Sequence, residues 1–238
     1  MIALTSLSPH AQHAENQAAC LKSWRAAGLE VVSMNHPSEQ ALLRYPGVEC
    51  IATEDTAEKV YGKPFVKLNC MLNWIGMQSE PVLLVNGDLH LDARAAQLAQ
   101  LSTLAADGLP FLLQTNINAD GGDPKPETWG LSAFVVNPKF CDLFQVSTLC
   151  MAEPWWDYWL PYAFICFGLP IYNAGHGLAH HVRHASKAWS GSDWHACGLE
   201  FDRMFHMLPA GESSVQGCES MAALVMELIG KNARAVAW

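Results

Sequence analysis

Hydrophobic and polar positions along the chain fall into alternating strand-like and helix-like stretches through the first half. Met1 to Leu7 (MIALTSL) is a short apolar run and predicts a first strand. His13 to Ala27 carries apolar residues at Ala14, Ala18, Leu21 and Trp24, a helical spacing that Gly28 terminates. Leu29 to Asn35 and Val48 to Thr53 read as two further strands. Lys63 to Gln78 has helical spacing, with Pro64 tolerable in the first turn. Pro81 to Gly87 is a fully apolar strand, Ala93 to Ala106 a helix, and Leu109 to Asn116 the next strand.

The second half is less regular. Asn118 to Thr128 is rich in Gly, Pro and Asp and predicts a surface loop. Leu131 to Pro138 reads as a strand stopped by its proline. An aromatic-dense stretch follows from Glu153 to Tyr172, and then a histidine-rich one from Ala174 to Trp189. A last helix is expected around Glu219 to Ile229. Strand–helix alternation with apolar strands predicts an α/β fold with a mostly parallel central sheet and helices on both faces, in a single domain. There is no repeat, low-complexity tract or linker.

Composition narrows the classes. Half of the 238 residues are hydrophobic, enough for a sizeable core. No window has the roughly 18 uncharged apolar residues of a membrane span, and no basic segment precedes the first apolar run, so a cytoplasmic location is the default expectation. Fourteen basic against 23 acidic residues give a net charge of −9, which argues against nucleic acid as a partner. The eight cysteines include no CxxC pair and read as reduced thiols.

The most polar strand end belongs to VLLVNGDLHLD, Val82 to Asp92. In open α/β sheets ligands bind at the carboxyl ends of strands. Asn86 and Gly87 let the strand end sharply, and Asp88, His90 and Asp92 follow at spacings of two. If the chain stays extended, all three lie on one face. Carboxylate oxygen with imidazole suits Mn²⁺, and less well Mg²⁺. Asp92 is also placed to cap the helix that follows, so Asp88 and His90 are the stronger metal candidates.

This element order, with Asp88-Leu89-His90 after the apolar strand, resembles the nucleotide-diphospho-sugar transferases of the GT-A fold, whose signature is a DxD-type motif. The DxH form resembles that of polypeptide N-acetylgalactosaminyltransferases. The resemblance implies a donor-binding half at residues 1–115 and an acceptor-side half at 116–238. It implies a divalent metal, Mn²⁺ or Mg²⁺, and a nucleotide sugar as donor, with the sugar passing to a glycan, lipid or small-molecule hydroxyl. Nucleoside contacts would fall to Thr5, Ser6 and Leu7, with Asn86, Gly87 and Lys63 completing the donor side; Lys63 and Lys67 equally suit a solvated helix face.

Two further groups complete the candidate set. His180, His181 and His184 are neighbours if the stretch is helical, and one of them is expected to join the metal. Glu153 and Asp157 flank Trp155 and Trp156; Asp157 is the preferred catalytic base and Glu153 a helix cap or second candidate. The tryptophans suit either sugar stacking or the core. A retaining mechanism would need no base. Two other readings stand beside the transferase: a metal-dependent hydrolase built on the histidines, though HHVRH lacks the glutamate of H-E-x-x-H, and a non-catalytic binding relative.

Overall fold

The computed structural model describes residues 1–117, 124–182, 190–208 and 217–238, with the backbone alone at 127–129. In chain order the elements are β1 (Ile2–Thr5), α1 (Ala11–Ala26), β2 (Glu30–Asn35), α2 (Pro37–Gln40), β3 (Glu49–Ala52), α3 (Glu58–Tyr61), α4 (Leu68–Gly76), β4 (Val82–Val85), β5 (Leu89–Leu91), α5 (Ala95–Leu104), β6 (Leu109–Ile117), β7 (Lys125–Val136), a 3-10 turn (Pro138–Leu143), α6 (Trp156–Cys166), β8 (Ile171–Asn173), β9 (Ala179–Val182), α7 (Gly191–Phe205), α8 (Cys218–Asn232) and β10 (Ala233–Ala235).

Period-two burial along β4 shows how the layers form. Val82 and Leu84 face one core, with residues from α4, α6, α7 and α8. Leu83 and Val85 face the other, with Cys20, Leu21 and Trp24 of α1 and Leu98 and Leu101 of α5. A strand covered on both faces must be apolar throughout, which is why this run has no alternation in hydrophobicity. The strand order is β10-β8-β6-β7-β4-β1-β2-β3, with β9 joining β6 to β5. The sheet is mixed: among the described residues most pairings are parallel, and β6 also pairs parallel with β8 and β9 and β8 with β10. β1, β2, β3 and β4 run parallel, but β7 is antiparallel to both β4 and β6, and β5 is antiparallel to β9. The β6–β7 hairpin inserts the reversed strand.

Three local expectations change. The helix expected from Lys63 starts only at Leu68, because Val66 and Lys67 are held extended by bridges to Thr56 and Cys150. Within the expected loop at 118–128, Lys125 to Thr128 belong to β7, while 118–123 lie outside the described residues. The histidine stretch is not helical where it is described. Gly175 and Gly177 adopt φ of 79° and 91°, which breaks any helix there, and Ala179–Val182 then form β9 between β5 and β6. Backbone hydrogen bonds on both edges hold β9 as a strand.

β5 has only three residues and, among the described residues, one strand partner. Its other edge is satisfied by side chains of α1: Trp24 Nε1 donates to the Leu89 carbonyl at 2.7 Å, and Leu91 N–H donates to Ser23 Oγ at 2.9 Å. Trp24 and Leu89 are fully buried. Asp92 does not cap the next helix. The N-cap position of α5 is Arg94, and Asp92 N–H donates to the Leu178 carbonyl. Among the described residues no helix is long and apolar enough to cross a membrane.

Trp24→Phe keeps most of the packing but leaves the buried Leu89 carbonyl unpaired. We expect a loss of about 1–3 kcal/mol in denaturant unfolding. A loss below about 0.5 kcal/mol would show that β5 does not depend on this bond.

Candidate functional site

The carboxyl end of β4 turns sharply. Asn86 N–H donates to the Ser132 carbonyl of β7 at 3.1 Å, and Leu89 N–H closes back on the Asn86 carbonyl at 3.2 Å. This is a β-turn with Gly87 and Asp88 at its centre. Gly87 lies against the end of β1: a Cβ there would sit 3.3 Å from Leu7 Cδ2 and 3.4 Å from the Ser6 carbonyl oxygen. The absent side chain lets the two strand ends approach.

The turn carries Asp88 to the second half of the chain. Its Oδ2 lies 3.3 Å from Nε2 of His181 in β9, with 34% and 21% of the two side chains exposed. His181 Nδ1 is 3.1 Å from Asn116 Oδ1 in β6. Gln114 Nε2 donates to the same Asn116 oxygen at 2.8 Å, and Ser132 Oγ–H donates to Gln114 Oε1. Polar side chains therefore run in series from the buried Ser132 to the half-exposed Asp88.

Asp88 and His90 do not act as neighbours on an extended face, because Asp88 is in the turn and not in the strand. In the β5–β9 register His90 is opposite His180, and Leu89 is opposite His181. His180 and His181 therefore point to opposite faces of β9. His90 and His180 form their own pair, with ring centroids 6.5 Å apart. Burial, followed by the proximity of His180, holds the His90 imidazole below its ordinary pKa, against the pull of Asp92. Thr115, opposite His180 in β6, and His180 Nδ1 are buried polar groups with no hydrogen-bond partner among the described residues. His184 lies outside the described residues.

On the β1 side, Thr5 and Leu7 are buried and only Ser6 is half-exposed. Leu7 N–H donates to Ser33 Oγ at 3.0 Å, and Asn35 Nδ2 donates to the Leu7 carbonyl at 2.8 Å and to Glu39 Oε2 at 3.1 Å. Burial raises the Glu39 carboxyl above its ordinary value. Asn35 and Glu39 were not among the sequence candidates. The signal was available, since Asn35 ends β2 as Asn86 ends the β4 run.

Glu153 and Lys63 meet each other. Lys63 Nζ is 3.3 Å from Glu153 Oε1 and 3.2 Å from Asp193 Oδ2, so it ties the segment before α4 to the start of α7. Glu153 is buried, and burial pushes its carboxyl up to about 7 against the opposing pull of Lys63. It does not cap α6, whose N-cap residue is Trp155. Asp157 lies in the first turn of α6 and keeps partial exposure, with the backbone of Leu131, Tyr158 and its own residue acting to lower its pKa. Leu131 precedes Ser132, the residue that receives Asn86 N–H, so Asp157 and the β4 turn meet neighbouring residues of β7. Burial pushes Asp157 up to about 7. Trp155, Trp156 and Trp159 are buried in the core, which removes them as sugar-stacking surfaces.

No family model matches the sequence, and no curated protein is significantly similar to it. Among solved structures, Rv0371C from Mycobacterium tuberculosis H37Rv, in complex with manganese, is similar over 81% of this chain and 94% of its own, at 13% identity and a TM-score of 0.43. A protein provisionally described as a nucleotide-diphospho-sugar transferase, from Desulfovibrio desulfuricans G20, is similar over 98% of both chains, at 8% identity and a TM-score of 0.42. Likeness at this level carries no weight for activity, which has to be argued from the residues.

A carboxyl whose folded pKa is raised favours the protonated fold, so its ionisation costs stability as pH rises from its unfolded value towards its folded one. For Asp157 that window runs from 3.8 to about 7. Thermal unfolding of the wild type should therefore lose several degrees relative to Asp157→Asn between pH 4 and pH 7.5, about 2–4 °C per kcal/mol at this chain length. A difference that does not vary with pH would contradict a burial-raised carboxyl.

Proposed function

We propose that the chain is a metal-dependent glycosyltransferase that moves a sugar from a nucleoside-diphosphate donor to an acceptor hydroxyl on a glycan, lipid or small molecule. The observation that carries this reading is the Asp88–His181 pair at the carboxyl end of β4, 3.3 Å apart and partly open to solvent. Two ligand atoms each about 2.1 Å from one cation are separated by roughly 3.0–3.4 Å at octahedral to tetrahedral angles, so the spacing matches a shared edge. The donor set supports the choice of ion. Among the described residues no three His, Cys, Asp or Glu side chains converge on a metal position. A closed or catalytic zinc site needs at least three protein ligands, whereas Mg²⁺ or Mn²⁺ is commonly held by one or two side chains with phosphate oxygens and water.

When bound, the ion neutralises charge on the departing diphosphate. The chain's own residues do the rest. Asp88 and His181 would hold the ion, and the Gly87 turn keeps Asp88 near the end of β1. Ser6, with Asn35 and Glu39 behind it, faces the nucleoside. Asp157 receives the acceptor proton in an inverting reaction, since a carboxyl near 7 is half-ionised at neutral pH and suits general-base work.

Mn²⁺ titrations read by electron paramagnetic resonance, with and without uridine, guanosine, cytidine and thymidine diphosphates, test the reading. We expect one diphosphate to raise the protein's affinity for Mn²⁺, and Asp88→Ala to weaken Mn²⁺ binding by about 10-fold or more. If no diphosphate enhances Mn²⁺ binding and Asp88→Ala binds Mn²⁺ as the wild type does, the assignment fails.

A further inference from the structure

We infer that Asn116 is a positioning residue that fixes His181 in the Nδ1–H form and so aims the Nε2 lone pair at the point shared with Asp88. The inference rests on the metal-donor reading of the Asp88–His181 pair and adds a residue to it. Asn116 is 5% exposed, and a buried amide is tolerated when its polar atoms are bonded. Its oxygen accepts from Gln114 Nε2 at 2.8 Å, and Gln114 Oε1 in turn accepts from the buried Ser132 hydroxyl. With the amides in this sense, the atom that Asn116 presents to His181 is an acceptor. His181 Nδ1, 3.1 Å away, must then carry the proton. The neutral ring has one N–H, so its lone pair is on Nε2, the atom 3.3 Å from Asp88 Oδ2.

A lone pair facing a carboxylate is an arrangement that a cation stabilises. Turned the other way, with both amides rotated, Asn116 would donate to Nδ1 and His181 would place an N–H on Asp88. That arrangement makes an ordinary hydrogen bond and leaves His181 no lone pair for a metal. For the neutral ring, the polarity of the amide chain thus decides whether the pair is a metal cradle or a closed contact; a protonated ring, with an N–H on each nitrogen, closes the contact as an ion pair. Asn116 is in the strand partner of β9, directly opposite His181 in register, so backbone pairing fixes the distance over which this control works.

The test reads the ring itself. Long-range ¹⁵N–¹H correlation spectra of metal-free protein at alkaline pH, with the His181 signals identified by their loss in His181→Gln, report which nitrogen carries the proton. We expect the wild type to be in the Nδ1–H form, although free imidazole side chains prefer Nε2–H. Asn116→Asp, which keeps an acceptor at this position, should retain the Nδ1–H form. Asn116→Leu should convert to Nε2–H and weaken Mn²⁺ binding about 10-fold. An Nε2–H wild type overturns the inference even if neither variant folds, and so does an Asn116→Leu ring that stays Nδ1–H. An Nδ1–H wild type that binds no Mn²⁺ upholds the positioning role and instead removes the metal reading.

Discussion

The site depends on how a three-residue strand is held. β5 cannot form a ladder with a second strand on its α1 side, so an indole N–H and a serine hydroxyl from α1 take the place of that strand. Unsatisfied backbone groups at this depth would each cost as much as a lost hydrogen bond or more. With both edges satisfied, β5 presents its other side to β9 in a single register. That register brings His181 to Asp88 and sends His180 to His90. A one-residue slip would exchange the two histidines between faces.

Polar groups elsewhere follow a related logic. The strand ends of β1, β2 and β4 gather Ser6, Asn35 and Asp88, and the backbone of that region is pinned by Ser33, Asn35 and the Asn86 turn. Beneath it Glu153 and Asp157 are carboxyls raised by burial, but they differ in setting. Glu153 is paired with a lysine that also reaches Asp193, which makes it part of a latch between segments. Backbone groups, and no charged partner, oppose the effect of burial on Asp157.

Much of this was legible along the chain. The apolar run at Val82, the helix over α1 with Gly28 after it, and the last helix all follow from local periodicity, and Asp88 stands out as a candidate because it follows the most apolar run. What escaped was set by contacts distant in sequence. The histidines at 180 and 184 have helical spacing, yet the described part of that stretch is drawn out as a strand between β5 and β6. Asp88 and His90 are two apart, yet a turn separates them. Asn116 gave no signal as a polar residue near the end of a predicted strand. Its place opposite His181 is set by pairing with β9, which local pattern does not encode.

The central claim is that Asp88 and His181 share one cation. Crystals grown with Mn²⁺ and a nucleoside diphosphate, with diffraction recorded at the manganese absorption edge, locate that ion by its anomalous signal. The expected result is a peak within coordinating distance, about 2.1 Å, of both Asp88 Oδ2 and His181 Nε2. A peak between His90 and His180, or a bound diphosphate with no peak at the Asp88 turn, would contradict it.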